Sequence, residues 1–401
     1  MPRVSVIIPT YNSARFIAGT LDSVFAQSFR DFEVIVVDDG STDNTREILQ
    51  PYLNRIQYRY QQNSERSAAR NNALSHASGG YIAFLDSDDL WAPEKLARQV
   101  AVLDDNPQVS LVFSQARYVD EGSNPVSFCG QTIDGEPGDG LVIADYSIPL
   151  LSSNVVAGGG SAAMVRRWML DKAGKFDLDL VQSEDWDMWV RLAQLGPFAY
   201  IPEPLTAYRV YGWKKLLTRQ MDEESIQQHL RIVDKNLAGW QGDPQEKQRL
   251  RNEALRFALV LATQAAYQLD GLPAGQDFLR RAIQVDPSLG TREKLLWLFV
   301  DRAKMIETDT GSYDEALTFI QRALGGLPAE LNKERPSFRQ AAGWLYVSGA
   351  FQQYEQHNLA EVRRLVRRGL AAAPEVLRNR GVLSMFVNSI FARSNLRQAR
   401  D

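Results

Sequence analysis

Short apolar runs alternate with amphipathic stretches through the first half of the chain. The run 4–8 is β-branched and ends at Pro9, which is typical of a strand buried on both faces of a sheet. Between such runs apolar residues recur at helical spacing, as Ile17, Leu21 and Val24 do. Strands are predicted at 4–8, 32–37, 56–60, 81–85 and 109–113, with helices between them. This alternation predicts an α/β domain with a doubly wound, mostly parallel sheet.

After about residue 212 the pattern changes to long stretches rich in Ala, Leu, Gln, Arg and Glu, which predict helices. Three segments there share the order arginine, small residue, aliphatic residue and, four positions later, proline. They are Arg281-Ala282-Ile283 with Pro287, Arg322-Ala323-Leu324 with Pro328, and Arg368-Gly369-Leu370 with Pro374. Each is expected to close a helix, and their spacing is typical of stacked helical hairpins. This half resembles a degenerate tetratricopeptide-like array, with an irregular helical bundle as the alternative.

The change of pattern also predicts the domain organisation. We expect a sheet domain at 1–215, a connecting helix and linker at 216–245, and an all-α domain at 246–401. Helical arrays offer surfaces to partners, so a protein partner or self-association is expected through the last domain. Two basic patches could touch anionic lipid, although solvated faces with ordinary ion pairs are the favoured interpretation. They are Arg363, Arg364, Arg367 and Arg368, and the run Trp213-Lys214-Lys215.

Composition narrows the partners and the compartment. The formal net charge of the 401 residues is -4, so nucleic acid is not expected as a partner. Cys129 is the single cysteine, which excludes an intrachain disulfide and suits the cytoplasm. The longest apolar runs, 257–262 and 295–300, fall far short of the roughly 20 residues of a membrane span. We therefore expect a cytoplasmic protein, with at most peripheral contact at the inner face of the plasma membrane.

Ligands of doubly wound sheets bind outside the carboxyl ends of the strands. Three polar loops are predicted there, at 9–12, 38–42 and 86–89. The last reads Asp86-Ser87-Asp88-Asp89. Carboxylates two residues apart at a strand end can share one divalent cation with phosphate oxygens, as Mg²⁺ and Mn²⁺ prefer. The alternative is an acidic turn that caps the next helix, but within this strand pattern the metal interpretation is favoured.

Two further acidic pairs are candidates for chemistry. Asp38 and Asp39 end the second predicted strand, where a carboxylate could accept the imide N–H of uracil or thymine, or could simply serve a turn. Glu184 and Asp185 begin a predicted helix, where acids also serve as N-terminal caps. A carboxylate whose pKa is raised by burial and by a neighbouring acid would be a general base for a hydroxyl.

Five segments taken together resemble the family-2 inverting glycosyltransferases with the GT-A fold. They are VSVIIPTYNSARFI at 4–17, FEVIVVDDGSTDNT at 32–45, SAARNNAL at 67–74, YIAFLDSDDLWAPEKL at 81–96 and SEDWDMWVRLA at 183–193. They lie in the order and at the spacings of that family. Neither a GxGxxG nor a GxxxxGK[ST] segment follows the first strand, which disfavours a dinucleotide fold or a P-loop.

The resemblance implies a role for each matching residue. Pro9, Tyr11 and Asp39 would hold the nucleotide base, and Arg70 would belong to the donor site. Asp86, Ser87 and Asp88 form the D-x-D segment, with Asp88 the expected metal ligand beside Asp86. Asp185 would be the catalytic base, with Glu184 next to it. The cofactor would be Mn²⁺ or Mg²⁺.

The implied activity is non-processive transfer, with inversion, from a nucleoside-diphosphate sugar to a carbohydrate or lipid-linked acceptor in polysaccharide or glycoconjugate synthesis. UDP is the expected nucleotide. The processive Q-x-x-R-W motif is absent. One alternative is a catalytically inactive, nucleotide-binding interaction protein; another is a nucleotidyltransferase, which would not need Glu184 and Asp185.

Besides the missing Q-x-x-R-W motif, two features of the sequence depart from the family's pattern. Many members carry glycine near Glu65, and many end the domain with Y-R-x-H, where this chain has Tyr211 in place of the histidine. Tyr211 would have to replace any contact that this histidine makes with the diphosphate. The glycine-rich stretch 120–160 is expected near the acceptor, where glycines permit loop movement, or is an ordinary surface loop.

Overall fold

The computed structural model describes residues 1–126, 140–156, 158–180, 183–211, 222–240, 242–269, 271–355 and 357–397. Cys129, Gly130, Gly135, Gly138 and the run 213–215 lie outside the described residues. The chain forms two compact units. The described residues up to 211 and those at 227–254 belong to the first, and those at 222–226 and after 254 to the second. Independent folding of the predicted domains stays a prediction.

The first unit contains one mixed sheet. Its strands are β1 (Val4–Thr10), β2 (Phe32–Asp38), β3 (Gln57–Tyr60), β4 (Tyr81–Phe84), β5 (Leu90–Trp91), β6 (Leu111–Val119), β7 (Pro125–Val126), β8 (Val142–Ala144), β9 (Ala163–Arg166) and β10 (Phe198–Arg209). The order is β3-β2-β1-β4-β9-β6-β10-β5, with β7 on β6 and β8 on β10. The first four strands of this order are parallel. The predicted α/β sheet is confirmed.

The second half of the sheet differs from the parallel pattern because β9 enters it in reverse. β9 pairs antiparallel with β4 and with β6, and its first residue lies beside the carboxyl end of β4. The residues just before β9 therefore lie at the edge where ligands of parallel strands bind. β6 and β10 are again parallel to each other.

Helices cover both faces of this sheet. They are α1 (Ile17–Phe25), α2 (Thr45–Leu49), α3 (Glu65–His76), α4 (Lys95–Asp105), α5 (Pro149–Ser152), α6 (Arg167–Ala173), α7 (Glu184–Ala193) and α8 (Glu223–Leu237). Alternate residues of β1 enter different cores: Ile7 packs in the cluster with α3, α7 and α8, and Ile8 in the cluster with α1 and α4. This two-sided burial explains the continuous apolar run of the strand.

The second unit is helical, as predicted. Its helices are α9 (Pro244–Gln268, which begins in the first unit), α10 (Leu272–Val285), α11 (Arg292–Thr310), α12 (Tyr313–Gly325), α13 (Phe338–Glu355), α14 (Leu359–Ala372) and α15 (Arg380–Arg397). The three repeated segments close α10, α12 and α14, and a short 3₁₀ turn begins at or just after each proline. The predicted helix ends are therefore confirmed. No helix of the described residues is both long enough and apolar enough to cross a membrane.

Candidate active site

Three loops meet at one edge of the sheet because β2, β1 and β4 are parallel neighbours. The loop after β1 carries Tyr11, a residue that is 49% exposed. Pro9 is the penultimate residue of β1 and lies opposite Val37 of β2. The loop after β2 begins at Asp39, and the loop after β4 contains the D-x-D segment. The sheet therefore brings the predicted base-binding and metal-binding residues to a common edge.

The two aspartates at the end of β2 have different partners. Asp38 accepts a hydrogen bond from the Tyr58 hydroxyl at 2.8 Å on Oδ2 and one from the backbone N–H of Ser41 at 2.9 Å on Oδ1. Both of its oxygens are thus used inside the protein. Asp39 accepts from Gln61 Nε2 at 2.7 Å and from the Ser64 N–H at 3.0 Å, both on Oδ1. Burial raises the pKa of the Asp39 carboxyl above its ordinary value.

The D-x-D loop contains three half-buried or buried carboxylates. Asp88 Oδ2 accepts a hydrogen bond of 2.6 Å from the Tyr211 hydroxyl. Burial, and next the charge of Asp86, raise the pKa of Asp88 above its ordinary value. Ser87 points into the protein, where its Oγ lies 2.6 Å from Oγ of Ser13. The loop therefore concentrates negative charge at Asp86 and Asp88, while Ser87 fixes its backbone.

Asp89 and Arg209 anchor this loop from below. Asp89 is buried and accepts hydrogen bonds from Ser161 Oγ at 2.5 Å and from the Arg209 N–H at 2.7 Å. The Arg209 guanidinium donates to the Asp88 carbonyl at 2.8 Å and to the Asp120 carbonyl at 2.8 Å. The end of β10 thus ties the D-x-D loop to the turn after β6.

Arg70 joins the D-x-D loop to the start of α7. Its Nη2 donates to Asp86 Oδ1 at 2.8 Å, and its Nη1 donates to Glu184 Oε1. The side chains of Arg70 and Glu184 are each only 3% exposed. A planar guanidinium can serve two carboxylates at once, whereas an ammonium is a point charge. Arg70 is therefore a buried bridge between Asp86 and Glu184, two acids that are 98 positions apart in the sequence.

Asp185 differs from its neighbour because no cation of the described residues forms an ion pair with it. Its Oδ1 accepts a hydrogen bond of 2.7 Å from the Trp186 N–H. Burial, followed by the negative charge of Glu184, raises the pKa of Asp185 to about 6, and the charge of Arg70 opposes this. A carboxylate with this pKa can take a proton near neutral pH.

Helix α8 packs against α7, the helix that begins with Glu184 and Asp185. Asp187 of α7 is buried, and its carboxylate lies 2.8 Å from Arg191 and 3.1 Å from Lys235. The imidazole of His229 packs on the Trp186 ring, with centroids 4.4 Å apart. The position of the acid at the start of α7 therefore depends on residues well beyond the last sequence motif.

Comparison with known proteins identifies the family. A family model described as glycosyl transferase family 2 matches residues 5–133. The TuaG protein of Bacillus subtilis (strain 168), named for teichuronic acid biosynthesis, is 35% identical over 221 residues, which is 52% of this chain and 79% of that protein. The chain belongs to glycosyl transferase family 2. The family predicted from the five segments is confirmed.

A second relative and a solved structure extend this result for the family 2 chain. An uncharacterized glycosyltransferase of Rickettsia prowazekii (strain Madrid E) is 30% identical over 213 residues, so the chain spans 65% of that relative's length. The crystal structure of S. aureus TarS 1-349 covers 82% of this chain and 93% of its own, with a TM-score of 0.52 and 21% identity. This likeness confirms the predicted GT-A-type fold with a helical extension.

The carboxylates of the D-x-D loop suit a divalent cation that the substrate also binds. Among the described residues no group of three or more His, Cys, Asp or Glu side chains is arranged to hold a metal ion. A closed protein cage is therefore not formed there. Mg²⁺ and Mn²⁺ typically bind one or two carboxylates and complete their shell with water and phosphate oxygens. Asp88 and Asp86 supply oxygen ligands of this kind.

Several residues that shape the site were not predicted as site residues from the sequence. They are Gln61, Asp89, Ser161 and Arg209. Asp89 follows the D-x-D segment directly, and Arg209 lies beside Tyr211, so the acidic run and the Y-R segment were the available signals. Gln61 and Ser161 are single polar residues in ordinary contexts, and no local pattern marks them.

Proposed function

We propose that the chain transfers a sugar from a UDP-sugar to a hydroxyl of a carbohydrate or lipid-linked acceptor, with inversion and one sugar per encounter. The proposal rests on family membership and on one observation. A single buried arginine, Arg70, holds the D-x-D loop and the start of α7 together, beside an acid whose pKa is raised to about 6. The TarS structure, crystallised in complex with UDP, supports the choice of nucleotide.

In this mechanism Asp185 is the general base. It takes the proton of the acceptor hydroxyl as the new bond forms between the acceptor oxygen and the anomeric carbon. The bond from that carbon to the diphosphate breaks, and its electron pair leaves with UDP. A single displacement of this kind inverts the anomeric centre and needs no covalent nucleophile.

Glu184 and Arg70 position the reacting groups. Glu184 is paired with Arg70, so it is a weak candidate for the base and a good one for fixing the start of α7. The same guanidinium orients Asp86. We assign Asp88, with Asp86 beside it, to hold Mn²⁺ or Mg²⁺. When bound, the cation offsets the charge of the leaving diphosphate.

At the nucleotide end, Asp39 would accept the imide N–H of uracil through its carboxylate. Gln61 and Ser64 both bind Oδ1, which orients the group while adding no competing charge. Tyr11, which is half exposed in the adjacent loop, would stack on the base. Tyr211 would then lie at the metal end, where its hydroxyl already contacts Asp88.

The test is calorimetry of UDP binding, followed by UDP release from a panel of nucleotide sugars. UDP affinity should fall sharply in EDTA and return with Mn²⁺, and Asp88→Ala should behave like EDTA treatment. Asp104→Ala is the control and should keep UDP affinity, because Asp104 of α4 contacts Arg3 and Tyr81 at the amino ends of β1 and β4. Equal UDP affinity with and without metal would refute the metal assignment, and failure of every donor to release UDP would refute the proposed activity.

A further inference from the structure

The segment just before β9 places two consecutive glycines with positive φ beside the proposed base. Gly158 has a φ of 75° and Gly159 a φ of 56°. A methyl group built on Gly158 would lie 2.7 Å from Cβ of Ala116, so no side chain fits there. On Gly159 a methyl would lie 3.4 Å from Asp185 Oδ2 and 3.8 Å from Cε2 of Tyr208. Among the described residues, Gly159 therefore leaves a space of at least one methyl group between a carboxylate oxygen and an aromatic ring.

The ring belongs to a tyrosine pair on adjacent strands. Tyr208 of β10 is in register with Tyr118 of β6, and the two rings meet edge to face with centroids 5.8 Å apart. Both residues are half-buried. The Gly158 N–H hydrogen-bonds to the Tyr118 hydroxyl, so Tyr118 holds the glycine segment against the sheet. Tyr208 is thereby fixed in front of Gly159.

The same segment separates this space from the bridging arginine. A methyl group on Gly160 would lie 3.5 Å from Phe84 Cβ and 3.6 Å from Arg70 Nη2. Gly159 thus faces the base and the tyrosine, whereas Gly160 faces the arginine that contacts the D-x-D loop.

We propose that the space bounded by Gly159, Tyr208 and Asp185 is the subsite for the acceptor's terminal hexose ring. The inference rests on the proposed function and names the part of the acceptor that this site binds. The face of an aromatic ring carries negative charge density, which attracts the C–H groups on the flat face of a sugar. A carboxylate at the rim accepts the hydroxyl that reacts. The missing side chain at position 159 leaves room for the ring.

The experiment measures acceptor-stimulated UDP release with the donor that the full-length protein accepts. The probes are the methyl glycosides of glucose, galactose, mannose and N-acetylglucosamine. At least one should accelerate UDP release above hydrolysis by water. Tyr208→Leu should raise the glycoside concentration for half-maximal acceleration by about fivefold, since contacts of an aromatic face are worth about 1 kcal/mol. Tyr208→Phe keeps the ring and should stay within about twofold of wild type.

Two controls separate the subsite from general damage. Tyr52→Leu removes another half-buried tyrosine, one that stacks on Phe25 on a different part of the unit, and should leave acceleration unchanged. Gly159→Ala should abolish acceleration by every glycoside. Gly311 of the helical unit has a φ of 67° and lies in open space, so Gly311→Ala introduces the same backbone strain away from the subsite. This variant should keep the acceleration by glycosides.

The possible outcomes distinguish a failure of the subsite from a failure of the proposed function. If no donor releases UDP, the proposed function fails. If donors release UDP but no methyl glycoside accelerates the reaction, or if Tyr208→Leu responds to glycosides as wild type does, the subsite is refuted and glycosyl transfer stands. Equal losses in Tyr208→Phe and Tyr208→Leu would also refute ring stacking.

Discussion

The end of β2 and the start of α7 each contain two adjacent acids. The first acid of each pair is stabilised by a different kind of partner. At β2, Asp38 is satisfied by a tyrosine hydroxyl and a backbone N–H, both neutral donors. At α7, Glu184 is satisfied by a buried arginine. The second acid of each pair, Asp39 or Asp185, keeps a pKa that burial raises.

This difference shows how a protein can keep one carboxylate available beside another. Neutral donors stabilise Asp38 without supplying charge, so Asp39 keeps a pKa raised by burial. The charge of Arg70 is shared among several acids, and Asp185 still keeps a pKa of about 6 because burial and Glu184 outweigh it. In both regions, replacing the first acid should cost stability or geometry, and replacing the second should cost function.

The largest effect is expected from Asp185→Asn. The amide keeps the shape of the side chain but cannot take a proton, so kcat should fall by about 10²- to 10⁴-fold. UDP affinity should stay within a few-fold, because the loss falls on the transition state. Asp179→Asn, an exposed acid in an exposed ion pair, is the control and should retain activity. Turnover near that of wild type would move the role to another residue, with Glu184 the first to test.

Stability should change in the opposite sense to activity in this variant. The folded-state pKa of Asp185 is raised to about 6, so between about pH 4 and 6 the folded protein binds more protons than the unfolded chain. Ionised Asp185 therefore destabilises the fold above pH 6. Asp185→Asn should raise the free energy of unfolding at pH 7 by about 1–2 kcal/mol, and the gain should vanish near pH 4. Urea denaturation at the two pH values measures this.

Arg70→Lys should have the next largest effect. One ammonium cannot hold Asp86 and Glu184 in the planar geometry of the guanidinium, so kcat should fall about 10- to 100-fold. Arg66→Lys is the matched control, since Arg66 is 51% exposed and lies 3.9 Å from Glu184. Equal activity of the two variants would mean that the bridge does not set the geometry of the reaction.

Asp39→Asn and Asp38→Asn separate the two roles at β2. Asp39→Asn removes a charged acceptor and should weaken UDP binding by about tenfold or more. Asp38→Asn alters the partner of Tyr58 and Ser41, and it should lower the free energy of unfolding by about 1–3 kcal/mol with a smaller effect on UDP affinity. Calorimetry with UDP and thermal unfolding of both variants provide the comparison. A reversed pattern would contradict the assignment of Asp39 to the base.

Glu184→Gln tests the source of the raised pKa at α7. The charge of Glu184 raises the pKa of Asp185, so its removal should lower that pKa. In wild type, kcat/KM should rise with pH through about 6, because the base must be ionised. In the variant this rise should occur at lower pH, with a gain of a few-fold in relative rate near pH 5. An unmoved pH profile would exclude Glu184 as the cause.

The sequence was sufficient for features that short segments encode. The apolar run of β1, the acids after β4 and the acid pair of α7 all follow from local pattern, and the structure has them at the expected elements. Hydrogen-bond partners that are distant along the chain could not be predicted from the sequence. Asp38 is satisfied by Tyr58, 20 positions away, and Asp89 by the backbone of Arg209, 120 positions away. Which acid of a pair is internal depends on such long-range contacts, and no spacing in the sequence reveals them.

The reversed β9 is a second feature that the local pattern does not contain. The segment 163–166 is a short apolar strand like its neighbours, and its direction is set by how the chain returns over the carboxyl edge. That return brings Gly158, Gly159 and Ser161 to the site. The glycine-rich stretch was expected near the acceptor, and this expectation stays a prediction that the Tyr208 variants test.

The smallest effect concerns Glu65, near which the family resemblance leads us to expect glycine. Glu65 begins α3 with a φ of 68°, a left-handed conformation that costs a side chain about 1–2 kcal/mol. Its backbone N–H hydrogen-bonds to Asp39, so the conformation serves the base-binding acid. Glycine adopts this φ without strain but loses about 0.5–1 kcal/mol more entropy on folding.

Glu65→Gly should therefore leave the free energy of unfolding unchanged or raise it by up to about 1 kcal/mol, whereas glycine within a helix normally destabilises. Glu47→Gly is the matched control, because Glu47 is an exposed acid in the first turn of α2, and its replacement should cost about 0.5–1 kcal/mol. The Glu65 charge also raises the pKa of Asp39, so its loss should leave UDP affinity equal or slightly higher. Urea denaturation of the two variants is the measurement. Equal destabilisation by both would show that the left-handed conformation at Glu65 carries no strain, and the glycine of other members would then need another explanation.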